Sequence, residues 1–127
     1  MSILTEKETY KLLYNKLKTN LEDINVSFAI PDITDINAEY VWLSHVMSSG
    51  YYFVDAFALV NVDVHILAPS FNKATQIATT IESLLHKQSL GTPNIFVTKV
   101  NSLWYVEEVE NSSLYHYVIT FVCRSKE

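Results

Sequence analysis

Between Val54 and Ile66 every second residue is apolar: Val54, Ala56, Ala58, Val60, Val62, Val64 and Ile66. A period of two held this long specifies a β-strand with all of these side chains on one face. The other face carries Asp55, Phe57, Leu59, Asn61, Asp63, His65 and Leu67, a mixture suited to partial exposure or to contact with another protein. Strands ordinarily run about five or six residues. At about 3.3 Å per residue, Val54 to Leu67 spans roughly 45 Å, against a diameter of roughly 36 Å for a domain of this length. Such a strand either bends at a bulge or projects as part of a hairpin with Tyr40 to Met47. A projecting hairpin exposes edges that something must cover.

The rest of the chain supplies partners for that strand. Thr5 and Glu8 have the spacing of a capping box, and behind them Tyr10, Leu13, Tyr14, Leu17 and Leu21 repeat at helical spacing. This predicts a helix over Thr5 to Asn20, with Lys7, Lys11, Asn15 and Lys18 on its wet side. Val26, Phe28 and Ile30 alternate up to Pro31 and predict a short strand. An Asp-containing loop follows to Asn37, then a strand over Tyr40 to Met47 and a turn at Ser48, Ser49 and Gly50. Pro69 ends the long strand and Ser70 is placed to cap a second helix. On it Ala74, Ile77, Ala78, Ile81, Leu84 and Leu85 form an apolar stripe that ends near His86 and Lys87, with Gly91 and Pro93 at the exit. Three further strands are expected over Ile95 to Val100, Leu103 to Glu110 and Leu114 to Cys123, the last two joined by a turn at Asn111, Ser112 and Ser113. The order α-β-β-β-α-β-β-β predicts an α+β fold, a mixed or antiparallel sheet with both helices packed on one face. At 127 residues it is read as a single domain, 1–127.

Composition excludes several function classes. The net charge is −5 and no basic cluster is present, which argues against binding nucleic acid or an anionic membrane. The two glycines, Gly50 and Gly91, cannot build a phosphate-cradling loop. The single cysteine, Cys123, can form neither an internal disulfide nor a zinc site with a second thiol, and its apolar surroundings suggest a buried thiol. No signal peptide or membrane span is expected from the charged N-terminus and the interrupted apolar run. Eight Tyr, six Phe and two Trp with only 18% charged residues is the composition of a surface buried against a partner, or of a densely packed β-rich core.

Candidate chemistry is sparse. Among His45, His65, His86 and His116, only His65 has a carboxylate, Asp63, two residues away and hence on the same strand face. Such a pair could act as base and orienting acid or as two metal ligands, but it reads more simply as a polar pair on the wetter side of a sheet. Glu107, Glu108 and Glu110 could pair for acid–base work or discourage edge-to-edge aggregation. Asp32, Asp35 and Glu39 lack the ligand alternation and turn glycine of a calcium loop. No enzyme, cofactor or metal is predicted.

The run Val62-Asp63-Val64-His65-Ile66-Leu67-Ala68-Pro69-Ser70, followed by Lys73-Ala74-Thr75-Gln76-Ile77-Ala78, resembles tail terminator and tail-completion (minor capsid) proteins of long-tailed bacteriophages. In that family a strand of the type xVDVxxxA precedes a helix of the type AxxIAxxIxxLL, matched here by Ala74, Ile77, Ala78, Ile81, Leu84 and Leu85. The ending Tyr115-His116-Tyr117-Val118-Ile119-Thr120-Phe121 is similar to the last strand of such proteins. The resemblance implies a non-enzymatic virion protein, made in the host cytoplasm, that forms a homo-oligomeric ring, a hexamer by analogy. Its partners would be the tail tube protein and a head-completion or connector protein, and its acidic surface would suit a channel for DNA. The alternative is another α+β interaction module, such as a different phage neck or adaptor protein. The residues expected at subunit or partner contacts are Ser48, Ser49, Gly50, Asp55, Phe57, Leu59, Asn61 and Asp63. Phe57→Lys or Leu59→Lys is therefore expected to weaken self-association about tenfold or more, about 1.4 kcal/mol, while leaving the thermal unfolding transition in place. Wild-type sedimentation by both variants would remove that strand face from the contact.

Overall fold

The alternating segment forms a continuous strand, Phe57–Ala68, in the interior of a six-stranded sheet. The computed structural model describes residues 6–51, 57–91 and 95–126, with the backbone alone at 6, 45–51, 57, 58, 125 and 126. Thr5 of the expected capping box, the strand start at Val54 to Ala56 with Asp55, and Pro93 lie outside these residues. In chain order the elements are α1 (Glu6–Asn20), β1 (Asn25–Ser27), β2 (Tyr40–Tyr51), β3 (Phe57–Ala68), α2 (Phe71–Leu85), β4 (Gln88–Leu90), β5 (Ile95–Val109) and β6 (Ser112–Lys126). The sheet order is β1-β2-β3-β6-β5-β4, antiparallel except for the parallel pair β1 and β2. The fold is α+β with the expected order of helices and strands.

Both helices lie on the face carrying Val60, Val62, Val64 and Ile66. Leu13, Leu17 and Leu21 of the first stripe and Ile77, Ala78, Ile81 and Leu85 of the second meet these valines, together with Ile119, Phe121 and Cys123 of β6. Burying each large aliphatic side chain here stabilises the fold by about 1.5–3 kcal/mol. Ser70 starts α2 as expected. Its backbone is extended and its hydroxyl accepts the Lys73 N–H at 3.2 Å. A smaller cluster on the opposite face joins Tyr40, Trp42, Leu67 and Leu114 beneath Ile33, Ala38 and Val109. The Asp-containing loop is thereby tied down over one end of that face; the Tyr40 hydroxyl receives the Asp35 N–H at 3.0 Å.

Several boundaries differ from the sequence expectation. Ser48, Ser49 and Gly50 are not a turn; they continue β2 and pair with Val60, Leu59 and Ala58. The segments Ile95 to Val100 and Leu103 to Glu110 form one strand, β5, interrupted only by a register shift between Lys99 and Asn101. A short strand not foreseen, β4, restores the count. The last turn falls at Glu110 and Asn111, both with positive φ (50° and 66°), as a two-residue hairpin loop of the primed type requires. Ser112 and Ser113 are already strand, and Glu110 is turn instead of strand. β1 stops at Ser27, leaving Phe28 and Ile30 exposed. β3 itself carries no bulge. It is paired along its length by β2 and β6, so the irregularities and the edges belong to β2 and β5.

At Gly91 φ is +75°, and a Cβ there would lie 2.7 Å from Leu12 Cδ1. Gly91→Ala should therefore cost about 1–2 kcal/mol of unfolding free energy, read from a urea titration. Unchanged stability would mean that the exit from β4 relaxes without strain.

Candidate functional site

Every second residue of β3 faces away from the helices, and the pairing assembles cross-sheet rows from them. Ser44, Asp63, Thr120 and Asn101 form one row, and Trp42, His65, Val118 and Leu103 the next. A third row joins Tyr40, Leu67, His116 and Tyr105. His65 and His116 are thus diagonal neighbours, although 51 residues separate them in the chain.

A directed chain of hydrogen bonds crosses these rows. The Ser44 hydroxyl lies 2.8 Å from His65 Nε2, His65 Nδ1 lies 2.8 Å from His116 Nε2, and His116 Nδ1 lies 2.9 Å from Glu107 Oε1. The Glu107 carboxylate only accepts, so the His116 Nδ1–H donates to it. With both rings neutral, His116 Nε2 accepts from His65 Nδ1–H, and His65 Nε2 accepts from the Ser44 hydroxyl. The indole of Trp42 stacks on His65 with centroids 5.0 Å apart and planes inclined by 3°, and Tyr105 lies 4.7 Å from the His116 ring centre. Asp63 is not the orienting acid of His65; it accepts from the Thr120 hydroxyl at 2.6 Å. The expected Asp63 and His65 pair therefore shares a face without a hydrogen bond.

This arrangement is saturated. With both imidazoles neutral, all four ring nitrogens are engaged, so neither ring offers a free lone pair to a metal ion or to a substrate proton. Among the described residues no group of three His, Cys, Asp or Glu side chains could hold a metal. Glu108 bonds Ser113 at 2.9 Å instead of pairing with Glu107. His86 caps α2 and accepts the Lys99 N–H at 2.9 Å, and the side chain of His45 lies outside the described residues. The Cys123 thiol, buried under the helices, is pushed up to about 12 by desolvation, which makes it an inert core group.

The second feature is the sheet's outer boundary. β4 pairs with β5 only from Ile95 to Val97, and β1 pairs with β2 only from Tyr40 to Trp42. Among the described residues, no strand lies on the outer side of β5 from Asn101 to Val109, where β6 pairs with the inner side, or on the outer side of β2 from Ser44 to Tyr51, where β3 does. On β5 this boundary carries Val100, Leu103, Trp104, Tyr105 and Val106, all exposed, from 42% for Tyr105 to 57% for Val100. Native sheets seldom leave an apolar edge of this length bare. The contact residues expected from sequence divide accordingly. Leu59, Asn61 and Asp63 are half-buried on the polar face of β3. Ser48, Ser49 and Gly50 fall on the open stretch of β2, Phe57 begins β3, and Asp55 lies outside the described residues. The β5 edge and the participation of Ser44, Glu107 and His116 were not foreseen. Leu103-Trp104-Tyr105-Val106 was the available signal, since four consecutive apolar residues cannot all face one core from a strand.

Burial pushes the His65 pKa down, reinforced by His116 and opposed by Asp63 and Glu107. The unfolded chain then takes up a proton at higher pH than the folded one, so stability is full above the ordinary histidine value and declines as pH falls below it. Thermal unfolding should therefore move to lower temperature between pH 7 and pH 5, and His65→Gln should lose a smaller part of its melting temperature over that range. Equal pH dependence in the two proteins would show that His65 titrates alike in both states.

No family model matches the sequence, and no curated protein matches it. Among solved structures, the fold is similar to a chain of the virion of a native gene transfer agent particle. The two superpose with a TM-score of 0.72 at 16% sequence identity, over 93% of this chain and 94% of the other. At this identity the likeness is one of fold, extending over nearly the whole of both chains.

Proposed function

We propose that the chain is a non-enzymatic structural protein of a phage-type virion, a tail terminator or tail-completion subunit. In this reading copies form a ring on the last ring of the tail tube and present a surface to the head connector. The observation that carries it is the bare apolar edge of β5, which an isolated subunit exposes to water and an assembly would cover. Two further points support it. A chain of similar fold sits in a gene transfer agent virion, and the β3–α2 sequence resembles the tail terminator family. The histidine chain on the polar face fits a structural role, since its donors and acceptors are matched internally and rigidify β3 against β6.

Electron microscopy of the purified protein, alone and mixed with tail tubes of the same virion, tests the proposal. The expected result is closed rings, seated on one end of each tube and arresting its elongation. Tubes that lengthen unchanged in its presence, with no ring at either end, would contradict it.

A further inference from the structure

The two open edges belong to opposite sides of one sheet, and their backbone polarity makes them complementary. β2 is antiparallel to β3, β3 to β6 and β6 to β5, so β2 and β5 run in opposite directions. A second copy set alongside in the same orientation offers its β2 antiparallel to the first copy's β5.

The outward-pointing groups can be assigned. The Lys87 N–H reaches the Val97 carbonyl, and the Lys99 N–H reaches His86, so positions 97 and 99 point outward. The bulge at Val100 shifts the alternation by one, directing Ser102, Trp104 and Val106 outward. On β2 the Leu43 carbonyl receives the Tyr10 hydroxyl and therefore points outward. The register shift between His45 and Met47 then turns Ser48 and Gly50 outward. Both assignments agree with the ladder between them, where Leu43 and Ser102 share a row with Val64 and Ile119.

The edges are also stepped. From the row Ser44, Asp63, Thr120 and Asn101, the open part of β2 runs toward one end of the sheet and the open part of β5 toward the other. β4 forms a step above the β5 opening, and β1 forms a step below the β2 opening. Sliding the second copy along the strands by roughly 25 Å, at about 3.3 Å per residue, brings the two openings side by side. Their lengths match to within a residue, and β1 of one copy comes to rest past the hairpin tip of the other. In a closed ring this offset would appear as strand inclination, as it does in closed barrels, where strands tilt by about 35–45°.

We propose that a second copy of this chain is the occupant of the β5 edge, joining head to tail through β2 to make one sheet continuous between subunits. The inference rests on the ring-subunit reading and specifies its interface. Because the contact uses two different surfaces, it is heterologous, and a two-fold β5-to-β5 pairing is the rival arrangement.

Edge-blocking prolines separate the two, since proline at an outward N–H leaves the inner ladder intact. Ser48→Pro blocks the β2 edge and Ser102→Pro the β5 edge, with Gly50→Pro and Val106→Pro as a second pair at the next outward positions. Circular dichroism selects the folded variants, and native mass spectrometry reads assembly. Each variant alone should be monomeric, with self-association at least tenfold weaker than wild type, while an equimolar mixture should form heterodimers and nothing larger. A β2-blocked variant that still dimerises, or a mixture of folded variants that stays monomeric, overturns the proposal. Wild-type rings that persist in both blocked variants would sink this interface and leave the ring reading standing. A wild-type chain that stays monomeric at every concentration, free and with tail tubes, would end both.

Discussion

Backbone hydrogen bonding at the sheet's edges is the constraint on which the rest of this molecule turns. Each residue of a strand has one donor and one acceptor, and those of an edge strand on alternate residues face outward. The fold covers short parts of its two long edges from within. β1 takes Tyr40 to Trp42, β4 takes Ile95 to Val97, and His86 and Tyr10 add single side-chain caps. Among the described residues it then stops, leaving one stretch on each side. Where a solitary domain would place lysines or a proline, this one places Leu103, Trp104, Tyr105 and Val106, half exposed. An arrangement of this kind is stable in water when neighbouring molecules supply the missing strand.

The two faces of the sheet divide the remaining work. Under the helices lies a dry core of aliphatic side chains centred on Val62, Val64, Ile81 and Phe121, which holds the subunit together. The other face is built from polar and aromatic groups whose hydrogen bonds close on one another, from Ser44 through His65 and His116 to Glu107. Such a network fixes register between β3, β6 and β5, because a slip of one residue would place these side chains on the wrong face. Rigid register would serve the proposed contact, in which the free edges meet a neighbour in step.

The sequence was informative where a single periodicity governed a segment. The alternation through β3 and the stripes of α1 and α2 fixed element type, order and core face, because burial of one face dominates those segments. It was less informative where backbone conformation carries the signal. The hairpin at Glu110 and Asn111 lacks the Asn-Gly pair that marks such turns, and Ser48-Ser49-Gly50 has turn composition while lying in a strand. Asp63 and His65 stand out in the sequence because they are two residues apart. The contacts each makes, Thr120 for one and Ser44 and His116 for the other, depend on strand pairing between distant segments and leave no local trace. The bare edge of β5 is not legible in the sequence, because Asn101 and Ser102 have the composition of a break between two strands while following a bulge within one.

Amide hydrogen exchange compared between dilute and assembled protein is the most direct measurement of the central claim. The account predicts that assembly slows exchange together in the open stretches of β2 and β5, at Ser48 and Gly50 and at Ser102, Trp104 and Val106, while β3 and β6, already paired on both sides, change little. Assembly that protects α1 or α2 and leaves both stretches exchanging as in the dilute protein would contradict it.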